Sequence, residues 1–130
     1  MQYIKHYWVD NITNQFCCRT NDAPEKRHPV KEIPGLDVKV WLQDIDGIDV
    51  CLSEVSSEIH VPEVYESSTS TKKCVQVLTE TEYNNVATPY FESQQLSGEA
   101  RTEENETLKA QKEAEATAKY QEALTALYAL

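Results

Sequence analysis

Apolar and polar residues alternate with a period of two through much of the first 78 positions, a pattern that predicts strands. Tyr3, Lys5, Tyr7 and Val9 fall on one side of an extended segment, with Ile4, His6 and Trp8 on the other. A second run, Gln15-Phe16-Cys17-Cys18-Arg19, follows a polar break over 10–14, and the two predict a hairpin. Pro24, Pro29, Pro34 and Gly35 punctuate the stretch 21–35, which is expected to be a loop of extended backbone. Val38, Val40 and Leu42 then alternate with Lys39, Trp41 and Gln43, and after Asp46-Gly47 the pattern resumes as Ile48, Val50 and Leu52. Asp-Gly between two alternating runs marks a hairpin, because glycine tolerates the positive φ that such a turn demands. Ile59 and the run 61–65 predict an edge strand, since Pro62 removes a ladder donor. The polar run 67–71 predicts a link, and Cys74, Gln76 and Leu78 alternate with Val75 and Val77 in a last short strand.

The period then changes. Thr79 and Glu82 have the spacing of a capping box, in which a hydroxyl and a carboxylate each satisfy an exposed backbone N–H at a helix start. Tyr83, Val86, Ala87 and Tyr90 continue at helical spacing, predicting a helix over 80–96 that Pro89 kinks or restarts. After Gly98 no Pro or Gly interrupts a run rich in Ala, Glu, Lys and Gln, which predicts one helix of about eight turns. Its first half is polar nearly all round. Its last part carries Ala116, Tyr120, Ala123, Leu127 and Leu130 at spacings of four and three, joined by Leu124 and Tyr128. The expected fold is α+β: a small antiparallel sheet of four to six strands over 1–78, a packed helix over 79–97, and a long amphipathic C-terminal helix over 98–130.

Charge narrows the possible partners. Among 130 residues, 22 acidic and 12 basic side chains give a formal charge of −10, which repels nucleic-acid phosphates and anionic lipid surfaces. Neither nucleic acid nor membrane is therefore an expected partner. No apolar stretch approaches the ~20 residues that span a bilayer, and the first ten residues lack the apolar core of an export signal. The expected location is the cytoplasm or a virion, without secretion, and Cys17, Cys18, Cys51 and Cys74 are then reduced thiols. Two glycosylation triplets, at Asn11 and Asn105, carry no meaning without secretion.

Candidate chemistry is sparse. Asp44, Asp46, Gly47 and Asp49 form D-x-D-G-x-D, an echo of calcium loops, in which carboxylates cluster about a sharp glycine turn. The bidentate Glu that closes such a loop is missing and the following residues are strand-like, which favours a solvated hairpin turn. The four cysteines with His6, His28 and His60 supply zinc-type donors without zinc-type spacing, so buried apolar cysteines are the better account. Three glycines in all leave no phosphate cradle, and no nucleophile can be paired with a base. Glu80, Glu82, Glu103 and Glu104 are assigned to helix first turns, and Trp8 and Trp41 to the core. No catalytic, cofactor or metal residues are assigned, and the expectation is a protein that is not an enzyme and needs no cofactor.

What remains is the terminal stripe. It packs on the β region of the same chain or pairs with another helix; a largely polar helix of that length favours a projecting one that self-associates or docks on a partner. The interface is assigned to Ala116, Tyr120, Ala123, Leu124, Leu127 and Leu130, in a homo-oligomer or a larger assembly. The β-rich front, the capped aromatic helix from Thr79 to Phe91 and the Glu/Ala/Lys helix ending in 122–130 together resemble small accessory proteins of tailed bacteriophages. That resemblance implies a tail-fibre assembly chaperone or a minor virion subunit, a non-enzymatic role in building or decorating a virion. The alternative is an acidic inhibitor or nucleic-acid mimic that binds a host protein.

Overall fold

The computed structural model describes residues 1–7, 33, 35–45, 47–65, 69, 71 and 73–130, and the backbone at 15–16 and 28–29. The fold is α+β, with strands β1 (Gln2–Tyr7), β2 (Gln15–Phe16), β3 (His28–Pro29), β4 (Asp37–Gln43), β5 (Asp49–Val55), β6 (Val64–Tyr65) and β7 (Lys73–Leu78). Helices α1 (Glu80–Thr102) and α2 (Glu106–Tyr128) follow. Five strands form one antiparallel sheet in the order β4-β5-β1-β7-β6, and β2 pairs with β3 separately. The predicted loop over 21–35, the polar link over 67–71, Trp8, Cys17, Cys18 and Asp46 lie wholly or largely outside the described residues.

The turn between β4 and β5 forms where Asp-Gly predicts it. Gly47 has φ 77° and donates to the Asp44 carbonyl at 2.9 Å, and the Asp44 amide donates to the Ile48 carbonyl at 2.9 Å. Among the described residues the hairpin expected between the first two runs is not present. β1 is the central strand, paired with β5 on one side and β7 on the other, while Gln15–Phe16 pairs with His28–Pro29. A central position suits β1 because both of its faces can be buried: Ile4 and His6 on one, Tyr7 on the other. Pairing along both edges also satisfies its backbone groups within the sheet.

On the face of Ile4 the core consists of Ile4, Ile33, Val55, Val61 and Val75, with Leu36, Ile59, Val64 and Val77 packed against it. On the opposite face the register aligns Val40 with Leu52 and Leu42 with Val50, all buried. Each such side chain contributes about 1.5–3 kcal/mol by leaving water. Tyr3 stacks on Tyr83 with ring centroids 4.2 Å apart and planes 17° from parallel. Trp41 is not a core residue: β4 is the outermost strand and the ring remains 45% exposed. At the other edge β6 has two residues, as Pro62 anticipates, and Lys73 bridges to Glu63 at 2.7 Å with its ammonium over the Tyr65 ring.

α1 starts as predicted. The Thr79 amide donates to Glu82 Oε1 at 2.9 Å and the Glu82 amide to Thr79 Oγ1 at 3.1 Å, a complete capping box. The helix then passes through Pro89 and through Gly98 to Thr102, so the break comes later than the expected boundary at 97–98. Residues 103–105 are non-helical, which removes Glu103 and Glu104 from a helix first turn. Asn105 caps α2, its side chain accepting from the Leu108 amide at 3.1 Å. α2 has 23 residues, about six turns rather than eight. No helix among the described residues is long and apolar enough to cross a membrane. The chain divides into two compact units, Met1–Tyr83 and Asn84–Leu130.

Candidate functional site

Within the unit Asn84–Leu130, α2 runs back antiparallel to α1, because partners descend along one helix as they ascend the other. Glu103 pairs with Lys112 at 3.0 Å, Ser93 with Ala116 at 2.7 Å, and Glu92 with Lys119 at 2.9 Å. The middle contact is a buried one in which the Ser93 hydroxyl donates to the main-chain carbonyl of Ala116. A side chain as short as serine reaches a neighbouring helix backbone only when the helices come close, and the small residues Ser93 and Ala116 allow that approach. The ion pairs at either side hold Glu103 below, and Lys112 and Lys119 above, their ordinary titration ranges, chiefly through the hydrogen bond each partner makes. All three side chains are half-buried at the surface and still reached by solvent, so their contribution to stability is small.

Much of the terminal stripe is covered within the chain. Ala116, Ala123, Leu124 and Leu127 are buried within the single chain, whereas Tyr120 and Leu130 are half-buried. Tyr128, beside the stripe, is 50% exposed. The six residues assigned to an interface therefore separate into four already covered and two that keep part of their surface. A groove of about 300 Å³ lies alongside, lined by Ser93, Ser97, Glu113, Ala116, Thr117 and Tyr120.

In the sheet unit, one nucleophile and base do meet. His6 Nε2 lies 2.6 Å from Ser53 Oγ, across the β1–β5 seam, and both side chains are fully buried. Burial pushes the His6 imidazole down to about 4 against a smaller upward effect of a backbone hydrogen bond at Tyr7. A neutral imidazole sealed in a sheet with a serine is a core hydrogen bond, since no substrate carbonyl can reach that hydroxyl. Sequence reasoning missed the pair because 47 residues separate its members. Cys51 is buried beside it, and its thiol is pushed up to about 12 by burial first and by the charge of Asp49 second, which leaves it without nucleophilic character.

The acidic turn has a structural use. Asp44 is buried and its Oδ1 accepts from the Ile48 amide at 3.0 Å, so this carboxylate closes the β4–β5 hairpin. Among the described residues no group of three or more His, Cys, Asp or Glu is placed to hold a metal ion. A cleft of about 450 Å³ at one end of the sheet is lined by Met1, Asp37, Glu54, Ser56, Ser57 and Glu58. Lys39 binds Asp37 at 3.0 Å, and the Met1 ammonium donates to Ser57, so positive groups offset its carboxylates.

No known protein family, curated protein or solved structure matches this chain.

Proposed function

We propose that this chain is a non-enzymatic structural or assembly protein acting through protein–protein contact, and that its layout fits an accessory protein of a tailed-phage virion, such as a tail-fibre assembly chaperone or minor subunit. The observation that carries the reading is the end of α2, where Tyr128 is 50% exposed and Tyr120 and Leu130 keep part of their surface after the rest of the stripe is covered. Aromatic and aliphatic side chains at the end of a firmly held helix make good anchors, because their burial is favourable and little ordering remains to oppose it. A second copy of this chain is the first partner such a surface predicts. The sealed His6–Ser53 pair and the internally used Asp44 carboxylate are in keeping with a protein whose work is contact.

The test is the solution mass of the full chain by light scattering over a concentration series, beside a Tyr128→Asp/Leu130→Asp variant. Assembly by the parent and loss of assembly in the variant, with helical content unchanged, is the expected result. A parent that stays monomeric, or a variant that assembles equally well, would refute this contact. The alternative, an acidic inhibitor or nucleic-acid mimic, draws on the charge of −10. Lys112 and Lys119, bound among the carboxylates of the hairpin, break up the single-sign face that such a mimic needs.

A further inference from the structure

We propose that His6 and Ser53 form an acid-sensitive latch across the β1–β5 seam, which holds the sheet together at neutral pH and releases it in acid. The sheet consists of the β4–β5 hairpin on one side and β1 with β7 and β6 on the other, and the two parts meet along the six pairs from Gln2↔Val55 to Tyr7↔Val50. The His6–Ser53 bond of 2.6 Å crosses this seam, with both partners fully buried. On the same face stand Cys51 directly opposite His6, Asp49 beyond it on β5, and Val75 opposite on β7. Lys73 follows two positions along β7 and is bound to Glu63. Cys51 stays neutral at any physiological pH, and Lys73 is positive, so neither favours an imidazolium at this place.

Opening the seam returns His6 to water, where imidazole titrates near 6.5, whereas in the closed sheet it is held at about 4. The closed form therefore binds fewer protons than the open one. Its advantage is complete above pH 6.5, falls as the pH drops from 6.5 towards 4, and changes no further below that. From these two values the opening equilibrium rises about 30-fold between pH 7.5 and pH 5. Because the seam is where the two pieces meet, the effect is local to β1 and β5 before it is global.

Amide hydrogen exchange on the full chain tests this, expressed as protection factors so that the intrinsic pH effect cancels. Protection over Gln2–Tyr7 and Asp49–Val55 should fall about 30-fold from pH 7.5 to pH 5, with α2 unchanged, and by less than about threefold in a His6→Gln variant. An equal fall in the variant would overturn the latch, as would a simultaneous loss of protection in every element. If His6→Gln does not fold, the ring of His6 is titrated by NMR in the parent chain. A midpoint below 5 supports the latch, and one between 6 and 7 overturns it.

Discussion

Replacing Gly98 by Ala should stabilise this protein, and replacing Gly47 by Ala should destabilise it. Gly98 lies inside α1 with no positive φ, and a methyl group built on it meets no heavy atom within 4 Å. The substitution then restricts the unfolded chain at no cost to the folded one, a gain of about 0.5–1 kcal/mol. Gly47 has equally open surroundings, but its φ is 77°. There a side chain crowds its own carbonyl oxygen, at a cost of about 1–2 kcal/mol. The two sites share empty space and differ in backbone conformation, so opposite signs identify conformation as the cause. Urea denaturation followed by circular dichroism reads both. With a denaturant slope of about 2 kcal/mol/M, Gly98→Ala should raise the midpoint by about 0.3–0.5 M and Gly47→Ala lower it by about 0.5–1 M. A destabilised Gly98→Ala variant would refute a continuous α1, because it would mean that Gly98 ends a helix in the left-handed conformation, where glycine is the usual residue.

The close approach of α1 and α2 gives a second prediction. Ser93→Ala removes only the bond to the Ala116 carbonyl and should cost about 1 kcal/mol, whereas Ser93→Leu forces bulk into a tight seam and should cost about 1–3 kcal/mol; a Leu variant with the parent's melting temperature would show that the helices are not close there. Cys51, buried and with its thiol near 12, should resist alkylation at pH 8 in the native chain and react once urea unfolds it, as peptide mass spectrometry would report; rapid native labelling at Cys51 would contradict its burial.

The features that were legible in the sequence share one physical property, in that their cause is local. The Asp46-Gly47 turn, the Thr79–Glu82 cap and the short edge strand after Pro62 each follow from a residue's own φ preference or from a hydrogen bond within three positions, and each is where the pattern placed it. Gly98 misled because glycine's cost in a helix interior, about 1 kcal/mol, is small enough for neighbouring turns to carry. The real break had a signal of its own, since Asn105 is a strong N-cap residue standing before Glu106. Strand order was not legible, because alternation says which side chains share a face and nothing about which strand lies alongside. That is why alternation alone pairs β1 with 15–19, whereas its partners are β5 and β7. The same reasoning applies to the candidate sites. The terminal stripe announced that a surface would be buried, and its periodicity is identical whether the cover is α1 or another molecule. What decides is the size of the residues opposite, and Ser93 against Ala116 admits a helix of the same chain. His6 and Ser53 meet only once β1 and β5 are adjacent, so this buried polar contact is a product of topology, invisible until the strand order is known.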